Sequence, residues 1–205
     1  MKKCHIFLGI LLAVTGVVSS AGAVTIDADI SGDFDFHNDI LTVDFTLDTD
    51  RMVTFFTSSW ITGGADAVLF LWDSAGNWLG SASGYNDDAS TAGSELSGGV
   101  SYSYGEFDVL KQDVTLGAGD YIATLSITGN YPVGYPGVGN LSAGYGWDLA
   151  APVPITDGHY DFHMVGISSY TVRGASAPIP EPTTLALMTL GGSLLALRRK
   201  FSYNA

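Results

Sequence analysis

Cysteine is all but missing from this sequence: Cys4 is the only one in 205 residues. No disulfide can form within the chain, and beyond residue 4 thiol catalysis and cysteine-ligated zinc are excluded. Basic side chains are scarce too, eight against 21 acidic ones for a net charge of −13. Five of the eight sit at the ends, as Lys2, Lys3, Arg198, Arg199 and Lys200. Between Val24 and Pro180 only Arg51, Lys111 and Arg173 face 20 acidic side chains, a net of −17. Such a field repels nucleic acid, which needs a basic patch, and attracts cations. Glutamate is short as well, three residues against 18 aspartates. Aspartate forms helices poorly and turns well. Few Lys and Glu among abundant Gly, Ser, Thr and Tyr therefore argue against helices.

The two ends differ from the rest. Met1-Lys2-Lys3 is followed by an apolar run, Ile6 to Val18, and then by small residues, Ser19 to Ala23. A basic start, an apolar stretch too short for a bilayer core and a small-x-small exit at Ala21-Gly22-Ala23 make a secretory signal, with cleavage expected between Ala23 and Val24 by signal peptidase. Cys4 lies ahead of the apolar run, so it is not placed for lipid attachment. At the other end, Thr183 to Leu197 is uncharged and mostly apolar, and Arg198-Arg199-Lys200 follows at once. As a helix this run measures about 22 Å, short of a bilayer core of about 30 Å but able to insert with thinning and snorkelling. The basic cluster would stay on the cytoplasmic side and leave the preceding domain outside.

Pro180-Glu181-Pro182, the apolar segment and the basic cluster, in that order, resemble the PEP-CTERM sorting signal. The resemblance implies transient anchoring in the inner membrane, and cutting near the Pro-Glu-Pro by an exosortase, a membrane-embedded cysteine transpeptidase. It implies a final location at the cell surface or outside the cell. Three segments are therefore expected: a signal peptide over 1–23, one domain over 24–174 and a sorting tail over 175–205. The tail and the signal are each expected to be helical.

Strand signals dominate the middle. Leu41 to Asp48 alternates apolar and polar residues without a break, and Arg51 to Thr57 is rich in Val, Thr and Phe; with Asp48-Thr49-Asp50 as a turn they read as a hairpin. Ala67 to Trp72 reads as a buried strand, Asp113 to Leu116 and Tyr121 to Thr128 as two more, and His159 to Val172 as the last. Tyr85 to Gly99 and Gly129 to Gly146 read as loops. Seven to nine short strands without a repeat predict an all-β, antiparallel, jelly-roll-like β-sandwich rather than a propeller or β-helix.

Several short pieces keep a recognisable order: Phe45-Thr46-Leu47, then Gly63-Gly64-Ala65-Asp66 running to Asp73-Ser74-Ala75-Gly76, then Asn86-Asp87-Asp88, then Leu116 to Tyr121. Together they resemble the bacterial pre-peptidase C-terminal β-sandwich, an accessory domain that is usually non-catalytic and whose relatives sometimes hold calcium. The segment from Gly129 to Gly158 departs from that pattern.

Asp66, Asp73, Asn86, Asp87 and Asp88 are hard oxygen donors in successive loops, which suits calcium with its six to eight oxygen ligands. A plain turn at Asp73 to Gly76 and a solvated Asp87-Asp88 loop explain the same residues, and this reading is favoured. Asp27 with Asp29 and Asp33 with Asp35 are spaced to share a strand face; a solvated edge strand is expected there. His159, Asp161 and His163 share a face too, and their imidazoles could ligate zinc. With Tyr160, Phe162 and Met164 facing the core, the histidine side is expected to be the wet one. Tyr131, Tyr135, Tyr145 and Trp147 could stack on sugar rings or pack in a core. No Gly-x-Ser-x-Gly elbow and no His-Glu-x-x-His helix is present, although distant carboxylates could still pair for glycoside hydrolysis.

These readings predict an exported, non-catalytic surface or extracellular-matrix protein, linked to exopolysaccharide or biofilm. A calcium-assisted carbohydrate-binding module is the alternative, and a secreted hydrolase a more distant one. No enzyme and no certain cofactor are expected.

Overall fold

The structure is a computed structural model that describes residues 25–174 apart from 138, 148 and 149. The expected signal helix and C-terminal helix lie outside the described residues. Eleven antiparallel strands and three short helical turns make up the domain among the described residues. The strands are β1 (Ile26–Asp33), β2 (Ile40–Leu47), β3 (Arg51–Thr57), β4 (Ala67–Asp73), β5 (Tyr85–Asn86), β6 (Gly93–Ser97), β7 (Val100–Tyr104), β8 (Leu110–Leu116), β9 (Gly119–Ile127), β10 (His159–Ile167) and β11 (Ser169–Gly174). One sheet has the order β1-β10-β3-β8, the other β11-β2-β9-β4-β5, and β6 and β7 pair as a separate hairpin. Among the described residues no helix is long and apolar enough to cross a membrane.

The alternation read in β2 is real: Leu41, Val43, Phe45 and Leu47 all face the core. The expected hairpin with β3 is not. Strands β2 and β3 lie in different sheets, so the turn at Asp48 carries the chain across the sandwich. The reason is that two strands with one apolar face each can bury it equally well side by side or face to face. Here Phe45 of one sheet meets Phe55 of the other at 5.5 Å, edge to face. The segment read as one last strand is two, β10 and β11, which join different sheets on either side of Ser168. Leaving out the hairpin and β11, the chain switches sheets at almost every connection.

The interior is layered. Between the sheets Leu69, Leu71, Leu125, Phe162 and Met164 are buried, each worth about 1.5–3 kcal/mol relative to exposure. Strand β4 is buried on its other side as well. Val68, Phe70 and Trp72 face outward into a second cluster with Ile122, Leu141 and Tyr145, packed by Tyr85, Tyr131 and Tyr135. This assigns a role to the segment after β9: it wraps the outer face of the five-stranded sheet. Trp72 donates its indole N–H to Thr124 Oγ1 at 2.8 Å, and the Tyr145 hydroxyl lies 2.6 Å from the same oxygen.

The outer face of the four-stranded sheet carries a different cover, the β6–β7 hairpin, whose first strand falls in the Tyr85 to Gly99 stretch read from the sequence as loop. Asp27 Oδ2 accepts from the Gly98 N–H at 2.9 Å, and Asp29 Oδ1 accepts from the Ser97 hydroxyl. Tyr102 lies on His163, ring centres 4.2 Å apart.

Candidate functional site

Three of the five predicted calcium ligands come together. Asp66 precedes β4, Asp87 and Asp88 follow β5, and β4 pairs with β5. One carboxylate oxygen from each lies within 4.8 Å of the other two. Asp66 is fixed from both sides. Its carbonyl accepts from the Thr128 N–H at 2.8 Å. Before it, Gly64 passes so close to Ser59 that a Cβ there would meet the Ser59 Cβ at 2.6 Å and the His159 carbonyl oxygen at 2.5 Å. Only glycine lets the loop approach β10 this way.

Thr128 Oγ1 sits 2.8 Å from Asp66 Oδ1 and 2.8 Å from Asp87 Oδ1. A hydroxyl has one proton, so it serves one carboxylate at a time. Asp87 Oδ2 accepts from the hydroxyls of Tyr85 at 3.1 Å and Tyr131 at 3.3 Å. Burial, and then the charges of Asp87 and Asp88, hold the Asp66 carboxyl above the usual range. Asp88 is also raised, by desolvation and by Asp87 and Glu106. The Tyr85 and Tyr131 hydroxyls are pushed up by burial and by Asp87. The cluster thus favours a proton or a cation between its oxygens, and its donor set of three carboxylates and a hydroxyl is hard, as calcium prefers.

The other two predicted ligands stand apart. Asp73 lies at the far end of β4, roughly 20 Å along the strand at about 3.3 Å per residue. Its carboxylate closes the turn, accepting from Ala75 N–H and Asn77 N–H at 2.9 Å each and from the Asn77 side chain at 3.0 Å. The Asn77 bonds lower its pKa. Asn86 turns its amide oxygen to the Leu110 N–H, 2.7 Å away. It ties β5 to β8 rather than joining the three carboxylates.

The remaining sequence candidates sort the same way. Asp27 and Asp29 lie exposed on the edge strand β1, as expected, and also bond the β6–β7 hairpin. Asp33 bonds His159 at 3.1 Å, and Asp35 lies beyond the end of β1. His159, Asp161 and His163 do not converge on a metal position. His159 lies between Asp33 and Asp161, whereas His163, expected on the wet face, is 2% exposed beneath the hairpin. Tyr160, Phe162 and Met164 face the core as expected. Tyr131, Tyr135 and Tyr145 belong to the outer cluster, and Trp147 packs edge-on against His37.

The sequence reading missed the exposed aromatic pair, Trp60 and Phe107, with ring centres 4.9 Å apart. A groove of about 530 Å³ runs beside them, lined by Trp60, Gly64, Asp66, Thr128, Ile155 and Asp157 among others. It shares Asp66 and Thr128 with the carboxylate cluster. Serine and tryptophan after a predicted strand carry no periodic signal, so nothing in the sequence marked Trp60.

Residues 178–200 match the PEP-CTERM protein-sorting motif. The match contains Pro180, Glu181 and Pro182 together with Arg198, Arg199 and Lys200. A chain with this motif is handled by an exosortase-type sorting system: it is exported, held by a C-terminal anchor and then processed. No curated protein matches the chain.

Proposed function

We propose that this chain is a surface or extracellular-matrix protein whose sandwich is the part left outside after sorting, in a layer rich in exopolysaccharide. The sorting motif at residues 178–200 carries this reading. It begins four residues after the end of β11 at Gly174, so the sandwich is delivered with almost no spacer. The acidic exterior and the absence of disulfides suit a soluble exported domain held by its core. The order of short motifs through the sandwich supports kinship with pre-peptidase C-terminal accessory domains. Replacing Pro180, Glu181 and Pro182 by Ala tests the proposal. The variant should stay in the membrane fraction while the wild type leaves it, and the wild-type protein in the medium should begin at Val24. Release of the variant at the wild-type rate would refute the sorting role.

The groove favours a second reading, a carbohydrate-binding face. Trp60 and Phe107 offer apolar ring faces of the kind that stack on sugars, and Asp66 and Asp157 offer acceptors for hydroxyls. A calcium ion on Asp66, Asp87 and Asp88 would stiffen the groove wall through Asp66. Binding to a glycan array, lost on chelation and lost in Trp60→Ala, is the expected result. Equal binding by Trp60→Ala would rule the groove out.

A further inference from the structure

Asp29 on β1, Ser58 just after β3 and His163 on β10 meet on the outer face of the four-stranded sheet, although 105 residues separate Ser58 from His163 and 134 separate Asp29 from it. His163 Nδ1 lies 2.7 Å from Asp29 Oδ1, and His163 Nε2 lies 2.9 Å from Ser58 Oγ. The imidazole is clamped between Phe56, 4.3 Å away and nearly parallel, and Tyr102. It cannot turn to exchange its partners.

The partners fix the tautomer. Burial alone would push the Asp29 carboxyl up, but bonds from His163, Ser97 and Tyr102 more than reverse this and hold it below its usual range. An ionised Asp29 can only accept, so Nδ1 carries the proton. In the neutral ring Nε2 is then a bare lone pair, and the Ser58 hydroxyl donates to it. This is the arrangement that activates serine nucleophiles on unrelated folds, recognised by geometry and roles rather than by sequence order.

We propose that Ser58 is a base-activated nucleophile that accepts acyl groups from activated esters, with His163 as its general base and Asp29 as the positioning residue. As the bond from Ser58 Oγ to the ester carbonyl carbon forms, the hydroxyl proton passes to His163 Nε2. The carbon–oxygen bond to the leaving alcohol then breaks, and that alcohol leaves with the proton from Nε2. Water attacks the acyl-serine with the same histidine as base, which releases the carboxylic acid and restores the hydroxyl.

Ser58 is half-buried and stands two residues before the groove residue Trp60. The backbone around it limits the rate. The Ser58 N–H donates to the Asp161 carbonyl at 3.1 Å, and the N–H groups of Ser59 and Trp60 donate to Asp108 Oδ1 at 3.1 and 3.2 Å. These three donors are committed and do not form an oxyanion hole, each donor of which is worth about 10²–10³ in rate. The reactive substrates are therefore esters with good leaving groups, and turnover is slow.

The test uses the protein secreted by the full-length gene product, incubated with p-nitrophenyl acetate. Nitrophenolate release, with one acetyl group on the peptide containing Ser58, is expected. Ser58→Ala should remove both while the thermal melt stays within about 1 °C of wild type, since the change is one half-buried oxygen. Asp29→Asn should lower kcat by at least about tenfold with KM little changed, because a side-chain amide can donate to Nδ1 and hold the wrong tautomer. A merely structural Asp29 would not lower kcat at unchanged KM in a folded variant. Ser58→Cys should regain acetylation, now at the thiol. A folded wild-type protein that carries no acetyl at residue 58, or a Ser58→Ala variant that releases nitrophenolate at the wild-type rate, would overturn the proposal.

Discussion

The outer faces of the two sheets are both covered, by opposite chemistry. On the five-stranded sheet Val68, Phe70 and Trp72 lie beneath a wrap of tyrosines and Leu141. On the four-stranded sheet Asp27, Asp29 and His163 hold down a hairpin through hydrogen bonds and one ring stack. An apolar cover is indifferent to pH and salt and contributes through area removed from water. A polar cover contributes little net free energy per bond but fixes side chains in defined protonation states and orientations. The first face therefore stores stability. The second stores chemistry.

The sharpest way to break this contrast is Trp72→Ala. It opens a cavity and leaves Thr124 and Tyr145 to rearrange, so a loss of about 3–5 kcal/mol is expected. At about 2–4 °C per kcal/mol that is a fall of roughly 6–20 °C in melting temperature. A fall equivalent to less than about 1 kcal/mol would mean that the segment after β9 is not part of the core.

Calcium should have the next largest effect. An ion that binds the folded carboxylate cluster at a hundredfold excess over its dissociation constant stabilises by about 2.7 kcal/mol, or roughly 5–10 °C. Magnesium should do less, because it demands a tight octahedron. Asp66→Asn with Asp88→Asn should erase the shift. A wild-type melt that millimolar calcium leaves unmoved would reduce the cluster to a proton trap.

Acid gives the smallest effect and separates two groups of carboxylates by sign. Asp29 is held below its usual value of 3.8 in the folded protein. Its contribution is complete above that value and is lost as the pH falls through the lower folded one. Asp66 and Asp88 are held above 3.8. They oppose folding at neutral pH, and the opposition disappears as the pH falls through their raised values. Melts taken from pH 7 toward 3 should show Asp66→Asn more stable than wild type at neutral pH and converging with it in acid. Asp29→Asn should behave the other way, less stable at neutral pH and converging only at the acid end. Parallel curves for all three proteins would mean that neither site is coupled to folding.

Much of this was legible in the sequence, and the failures have physical causes. The strands with one clean apolar face, such as Leu41 to Leu47, were readable because period-two burial leaves its mark whichever sheet a strand joins. For the same reason the sheet assignment was not readable, and β2 and β3 were paired when they in fact face each other. The β6–β7 hairpin escaped because Gly93 to Ser97 and Val100 to Tyr104 bury little beyond Ser97 and Tyr104. A hairpin held by side chains of another strand has the composition of a loop. The three carboxylates of the cluster were legible as hard oxygen donors in successive loops, whereas the separation of Asp73 from them depends on the length of β4, which composition does not show. Asp29 and His163 were singled out in the sequence and Ser58 was not, and nothing local to any of the three marks that they meet across 105 and 134 residues.

One further consequence follows from where β11 lies. It is the edge strand of its sheet, it pairs with β2 alone, and it ends at Gly174 opposite Thr42. Any tether through residues 175–205 pulls on that end. A load directed across the strands would peel β11 away bond by bond from that end, as a zip opens, whereas one directed along them would shear its hydrogen bonds together. Arg173 stands at the opening of the zip, its guanidinium gripping both carboxylate oxygens of Asp44. While it is tethered, the domain would yield mechanically at its last strand first and keep the rest of the sandwich closed.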